Sequence, residues 1–246
     1  MKTNSYFVNI LENSKGKFIR RKKRKGIKPY ARTLSFKQIN KILLNSNILY
    51  AKMIKNHLNH IDEEYIVPTT EVSSMPNDKV FNYFIETIKK LNNIKIDKYK
   101  KMVSWNNNSE FMKFQLDNFV KAVKLKNQIN IENLKKQLNI IDLNMDDNRK
   151  MSLIHGDLHL NNLIINFDDF YLIDWEMATI GDLAYELAIH FILMGYNEVE
   201  ENNFINQLLI DIKLDKDKLI HDIEQYKKFE LIRRKFLHGN IENHYH

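Results

Sequence analysis

The sequence predicts an α+β protein of two lobes, a small β-rich amino-terminal lobe and a larger, mainly helical carboxyl-terminal lobe. Residues 6–11 and 17–21 flank a glycine-containing turn, which is typical of a β-hairpin. From residue 183 onward, apolar residues recur at helical spacing. A second hairpin pattern, 163–165 and 170–173, lies inside the helical half. The chain therefore begins with strands and continues with helices that surround a short hairpin. This order favours two lobes.

The first lobe is expected to continue with one helix and two short strands. Apolar residues at helical spacing predict a helix over 34–58, with Ser35 as its N-cap. Residues 65–72 resemble a strand interrupted by a proline, and 80–85 a compact apolar strand. We expect the hinge between the lobes near 80–86. The first lobe then spans 1–86 and the second 87–246.

The second lobe is expected to hold most of the helices. The region 86–148 is mostly helical, with its clearest helices near 110–126 and 131–138. Two further helices are predicted over 204–212 and 219–237, after the strongly apolar helix that begins at Leu183.

Composition excludes several classes of protein. The chain has no cysteine, so a disulfide, a thiolate nucleophile and a cysteine metal site are excluded. The sequence has no uninterrupted apolar run of eighteen residues and no secretory signal at its start. We therefore expect no membrane span and a cytoplasmic location.

Charge is unevenly distributed along the chain. The net charge is +7, yet residues 13–61 contain fourteen lysines and arginines and no acid. Such a basic segment is consistent with nucleic-acid binding, with a phosphate-binding lobe that faces an acidic lobe, or with a solvated surface. Aromatic residues are sparse within 15–32, which argues against stacking on bases and makes a nucleic-acid partner the weakest of the three.

The most informative stretch is His155-Gly-Asp-Leu-His-Leu-Asn-Asn162, followed by Ile173-Asp-Trp-Glu176. It supplies an Asp, an Asn five residues later and a second Asp seventeen residues later. Phosphoryl transfer from a nucleotide needs this set, because one carboxylate accepts the hydroxyl proton while an amide oxygen and another carboxylate hold Mg²⁺. The tight hairpin between them would return the chain to the same metal.

These motifs, together with 153–154 and Gly-Asp-Leu-Ala-Tyr-Glu-Leu-Ala over 181–188, resemble the aminoglycoside phosphotransferase and choline kinase family, relatives of protein kinases. The resemblance implies a bilobal protein-kinase-like fold, ATP as phosphate donor and Mg²⁺ as cofactor. It makes Asp157 the catalytic base and Asn162 and Asp174 the metal ligands. The implied partners are a nucleotide and a small acceptor with a hydroxyl group.

The resemblance also implies that a basic side chain on a strand of the first lobe binds the nucleotide phosphates. Arg20 is the first choice and Arg21 the second, with Phe18 on the face of Arg20 and close to adenine. Phe84 and Ile85 would lie in the hinge that reads the adenine edge. The family's usual helix Glu has no equivalent in 13–61, and little room precedes the strand for a lid. A catalytically silent, kinase-like binding protein is therefore the alternative.

The acceptor is expected to be cationic. Glu176 is a candidate for binding it, and His159 either approaches the phosphate or substrate or is a satisfied loop histidine. His155, Gly156 and Trp175 are expected to be structural. Further acids of the second lobe that could attract a cation are Glu198, Glu200, Glu201, Glu224 and Glu230. The run 186–196 resembles the antibiotic phosphotransferases, which implies antibiotic resistance; a choline or amino-alcohol kinase is the alternative.

Overall fold

The computed structural model describes residues 6–23, 34–57, 60–124 and 131–238. The first lobe is built on a four-stranded antiparallel sheet of order β1-β2-β4-β3. Its strands are β1 (Tyr6–Asn13), β2 (Gly16–Lys23), β3 (Met53–Asn56) and β4 (His60–Glu64). The predicted first hairpin is confirmed, because β1 pairs with β2 around the turn before Gly16. Residues 24–33 of the basic segment lie outside the described residues.

Helix α1 (Phe36–Leu43) begins where the sequence predicts but ends earlier. Ser35 caps it, because its side chain accepts from the Gln38 N–H while the Gln38 side chain accepts from the Ser35 N–H. The predicted end at residue 58 is wrong. The side chains of Asn45 and Ser46 bond the carbonyls of Lys41 and Leu43, and such side chains compete with continued helix.

The predicted strand over 80–85 is also wrong, since these residues lie inside α2 (Asn77–Asn93). Val80, Phe84, Ile88 and Leu91 are buried at helical spacing, and a short apolar run cannot distinguish a strand from a buried helix. Residues 65–76 connect β4 to α2. Residues predicted there as a strand make only an isolated bridge, between Thr70 and Ile165.

The second lobe contains the remaining elements. Its helices are α3 (Asn108–Lys124), α4 (Ile131–Leu138), α5 (Leu183–Met194), α6 (Glu198–Leu209) and α7 (Lys216–His238). Two small antiparallel sheets pair β5 (Ser152–Ile154) with β8 (Thr179–Gly181) and β6 (Leu163–Asn166) with β7 (Asp169–Leu172). The α+β prediction and the second hairpin are confirmed. None of the helices in the described ranges has the length and apolarity of a membrane span.

A buried ion cluster fixes the start of α5 beneath the loop after β5. Arg149 donates two hydrogen bonds to Asp182, of 2.8 and 2.9 Å, and also pairs with Asp222. Asp182 in turn caps α5 by accepting from the Ala184 N–H. Asp182 therefore both caps the helix and is held by a buried arginine.

Candidate active site

The loop after β5 requires a glycine at its second residue. Gly156 has φ +75°, a conformation that residues with a Cβ rarely adopt. A Cβ built there would lie 2.8 Å from the Met177 carbonyl oxygen. The expected structural role of Gly156 is confirmed, and the loop can pass close to the segment after Asp174.

One backbone hydrogen bond and one histidine side chain hold the residue before Asp174 beside Asn162. The Ile173 N–H donates to the Asn162 carbonyl at 2.9 Å, and the Ile173 carbonyl lies 2.9 Å from His155 Nε2. His155 is fully buried, so it holds the backbone as expected for a structural histidine. Asp174 follows with φ +62°. The β6–β7 hairpin thus returns the second Asp to the loop that holds the Asn.

Asp157 lies in the same group. The Asn162 amide donates to the Asp157 carbonyl at 2.7 Å and to Asp157 Oδ2 at 3.0 Å. His159 Nε2 lies 3.6 Å from Asp157 Oδ2. Burial opposes ionisation of Asp157, but the imidazoles of His159 and His155 and the Asn162 amide lower its pKa below the ordinary value. The carboxylate form, which can accept a proton, is therefore favoured.

Arg21 is the cation that faces these acids. Its Nε donates to Glu63 Oε2 at 2.6 Å and its Nη1 to Asp174 Oδ1 at 3.1 Å. Its side chain is only 5% exposed. Burial opposes the charge, but the carboxylates of Glu63 and Asp174 raise the pKa of Arg21. Arg21 therefore stays charged between the first-lobe sheet and the hairpin of the second lobe.

The expectation that Arg20 faces the cleft is wrong. Successive side chains of a strand point to opposite faces, so Arg20 lies on the face away from Asp174. It donates to Asp62 at 2.7 and 2.8 Å, and its guanidinium lies 5.4 Å from the centre of the Phe18 ring. Phe18 shares the face of Arg20, as predicted, but for that reason it is not positioned at an adenine site beside Arg21.

Sequence reasoning missed Glu63, the acid that pairs with Arg21. Strand pairing places Ile61 opposite Arg21 and Glu63 opposite Ile19, so all four side chains share one face of the sheet. The resembled family carries this acid on the helix after β2, and that helix has no acid in this chain. The run of three acids at 62–64, at the end of a strand, is the signal that could have found it, because strand alternation puts one of them on the face of Arg21.

The predicted roles of Phe84 and Ile85 at the adenine edge are wrong. Both are buried in the middle of α2, where the Phe84 ring packs against His190 with centroids 4.7 Å apart. Their peptide groups belong to a helix of the second lobe, so they are not available to read a base. An open groove of about 640 Å³ instead lies between 68–73 of the connection and 160–165 of the loop and β6.

Glu176 is a buried side chain rather than an exposed group that an acceptor would contact. It is 8% exposed, and its charge contributes to the raised pKa of Arg21. Trp175 beside it is buried, and its indole N–H donates to the Leu172 carbonyl at 3.0 Å. Trp175 is therefore structural, as expected, and Glu176 lies on the Arg21 side of the site.

Glu186 stabilises the loop after β5 by a hydrogen bond to its backbone. It is buried and accepts from the Gly156 N–H at 3.0 Å. Burial raises the pKa of Glu186 to about 7, although the backbone N–H groups of Gly156 and His155 favour its ionised form. Its ionisation in the folded protein therefore costs free energy over the physiological range.

We expect this cost to appear in the pH dependence of stability. A carboxyl group whose folded-state pKa is raised destabilises the fold as pH rises from its unfolded value of 4.5 to about 7. Over that window the wild type should lose up to about 3 kcal/mol of unfolding free energy relative to Glu186→Gln. Urea unfolding of both proteins at several pH values measures the difference. A difference that is constant with pH would contradict the assignment.

Comparisons with known proteins find a matching family and related chains. Residues 74–211 match the model of a family described as the phosphotransferase enzyme family. The chain is 30% identical over 169 residues to a protein named LicA homolog of Mycoplasma capricolum subsp. capricolum. That match covers 69% of this chain and 66% of the relative, so the chain spans slightly under two thirds of that protein's length.

Two solved structures share the fold. An ethanolamine kinase of Plasmodium vivax superposes with a TM-score of 0.69 at 19% identity, covering 95% of this chain and 75% of that one. The choline kinase LicA of Streptococcus pneumoniae superposes with a TM-score of 0.66 at 17% identity, covering 96% and 84%. Both confirm the bilobal architecture.

Proposed function

Because this chain belongs to the phosphotransferase enzyme family, we propose that it transfers the terminal phosphoryl group of ATP to the hydroxyl of a small amino alcohol such as choline or ethanolamine. The observation that carries the proposal is the convergence of Arg21, Asp157, Asn162 and Asp174 from two lobes on one site. Each of these side chains is of the type that phosphoryl transfer requires.

The proposed roles follow from charge and position. Asp157 accepts the proton of the acceptor hydroxyl as the hydroxyl oxygen attacks the γ-phosphorus of ATP. The bond from that phosphorus to the β,γ-bridging oxygen breaks, and ADP leaves. Asn162 and Asp174 supply the hard oxygen ligands that Mg²⁺ prefers, and the two residues are held together through the backbone of Ile173. When bound, Mg²⁺ would neutralise the charge on the phosphates. Arg21, beside Asp174, would bind the phosphates from the opposite lobe.

Glu63 takes the orienting role that a helix acid has in the resembled family. Its pairing with Arg21 through a bond of 2.6 Å lies within the sheet itself, between neighbouring strands. The alternative of a silent binding protein depends on the missing helix acid and on the little room for a lid. With Arg21 held by a strand acid, the first lobe has the cation and carboxylate pair that an active enzyme uses.

Charge pairing in the second lobe favours an acceptor with a single positive charge. Glu201 and Glu224 both pair with Lys227, and Glu230 pairs with Arg233 and Arg234. The charges of these acids are therefore already balanced by lysine and arginine side chains of α7. An aminoglycoside with several ammonium groups would have to displace these side chains. The names of the LicA-type and ethanolamine-kinase relatives support a small amino alcohol.

A comparative assay tests the acceptor. ADP release is measured with Mg²⁺ and ATP in the presence of choline, ethanolamine, an aminoglycoside or a macrolide. We expect turnover with choline or ethanolamine and none above background with the antibiotics. Turnover with an antibiotic alone would contradict the proposed acceptor and support the antibiotic branch. No turnover with any acceptor, with no thermal stabilisation by ATP and Mg²⁺, would support the silent binding protein.

The role of Glu63 has its own test. Glu63→Gln removes the charge that orients Arg21, so KM for ATP should rise about tenfold, as expected for the loss of one charge-assisted hydrogen bond. Glu64→Gln is the matched control, because Glu64 is the next residue on β4 and points to the other face of the sheet. Equal KM values for the two variants would contradict the role, and Glu63→Asp should recover part of the loss.

A further inference from the structure

The β3–β4 hairpin gathers two histidines and an acid on the side of the sheet opposite Arg21. The His57 N–H donates to the His60 carbonyl at 2.9 Å across the hairpin, which brings the two residues together. Their imidazole rings are stacked, with centroids 3.9 Å apart and an interplanar angle of 22°. Asp62 lies two residues after His60 on the same face of β4, so its carboxylate reaches both rings.

The nitrogen atoms of this cluster are arranged as ligands rather than as hydrogen-bond donors. Within the described parts of the chain, Nε2 of His57 and Nε2 of His60 are buried and have no hydrogen-bond partner. They lie 3.4 and 4.0 Å from the Asp62 carboxylate oxygens, and one atom from each of the three residues lies within 4.8 Å of the others. Ligand atoms about 2.0–2.1 Å from one tetrahedral ion lie about 3.3–3.4 Å apart, so the His57–Asp62 separation already fits and the His60 ring would have to move closer on binding.

We propose that His57, His60 and Asp62 form a binding site for Zn²⁺ or a similar divalent transition-metal ion. Two imidazoles and a carboxylate are ligands that suit Zn²⁺, with solvent in the remaining position. The site is independent of the proposed kinase chemistry, because Asp62 and Glu63 point to opposite faces of β4. Binding would join the hairpin tip to the body of the sheet.

Arg20 positions the carboxylate of this site. It donates to Asp62 Oδ1 at 2.7 Å and to Oδ2 at 2.8 Å. A carboxylate has about four acceptor positions, so two remain for a metal ion, and ligating carboxylates commonly have such hydrogen-bonded partners. The guanidinium also brings a positive charge close to the site. This positive charge repels a metal cation, so Arg20 limits the affinity of the site for Zn²⁺.

The test is a Zn²⁺ titration of the full chain by calorimetry, with Co²⁺ absorption as a reporter of tetrahedral coordination. The background carries His244→Ala and His246→Ala, because these two histidines of the carboxyl end would also bind metal. We expect one site that weakens at least about tenfold in His57→Ala, His60→Ala and Asp62→Asn. His221→Ala is the matched control, since His221 pairs with the exposed Asp142 at 3.7 Å, and it should bind as the background does.

Arg20→Gln separates a built site from adventitious binding to surface histidines. The glutamine keeps an amide N–H that can donate to Asp62 but removes the neighbouring positive charge. If Asp62 is a ligand, Zn²⁺ binding should therefore tighten severalfold while ATP affinity is unchanged. No Zn²⁺ binding by the background protein, or equal affinity in Asp62→Asn and the background, would overturn the proposal. Circular dichroism of each variant excludes misfolding as the cause, and Asp62→Asn preserves the side-chain shape.

Discussion

Asp157→Asn is expected to lower kcat by about 10²- to 10⁴-fold, the usual contribution of a general base. The amide cannot take up the hydroxyl proton, but it keeps an oxygen that accepts from the Asn162 side chain as Asp157 Oδ2 does. Loop structure and ATP affinity should therefore stay close to the wild-type values. Phosphate transfer and ATP binding, measured on the same preparation, check both parts.

Asp168→Asn is the control for this substitution. Asp168 lies in the exposed turn of the β6–β7 hairpin, eleven residues after Asp157 in the sequence and outside the hydrogen-bonded group around Asp157. The kcat of Asp168→Asn should match that of the wild type. Turnover by Asp157→Asn within a few fold of the wild type would refute Asp157 as the base.

Arg149→Met is expected to have the largest effect on stability. The substitution leaves the carboxylates of Asp182 and Asp222 buried without their cation, and breaking a buried ion pair in this way costs about 3–5 kcal/mol. Because Asp182 caps α5, the loop above it should also lose order. The free energy of unfolding in urea measures the loss.

A second substitution tests the electrostatic origin of that loss. Arg149→Met combined with Asp222→Asn removes one of the two uncompensated charges, so it should be more stable than Arg149→Met alone. Arg234→Met, which removes a half-buried arginine from one i,i+4 pair with Glu230, should cost about 1 kcal/mol or less. A loss in Arg149→Met no greater than in Arg234→Met would contradict the cluster's role.

Local signals explain why much of the fold follows from the sequence. The glycine at 156, the hairpin between Asn162 and Asp174 and the cap at Ser35 each depend on a few neighbouring residues. In those places the expected and observed structures agree. The strand predicted over 80–85 is wrong because so short an apolar run is compatible with the period of a strand and with that of a helix. The buried residues 88 and 91, which continue the helical spacing, lie beyond that run.

The first-lobe site depended on information that a sequence alone does not contain. Choosing between Arg20 and Arg21 is a choice of strand face, and a change of one residue moves every side chain to the other face. The pairing of β2 with β4 settles that choice and also brings Glu63 to Arg21 across 42 residues of chain. Long-range strand register, rather than any motif, defines the cation and its carboxylate.

The most direct test of the shared metal and nucleotide site is electron paramagnetic resonance of Mn²⁺ with a nonhydrolysable ATP analogue. We predict that the wild type and Asp157→Asn bind Mn²⁺ together with the nucleotide, whereas Asp174→Asn loses most of that binding. Undiminished nucleotide-dependent Mn²⁺ binding by Asp174→Asn would contradict the site.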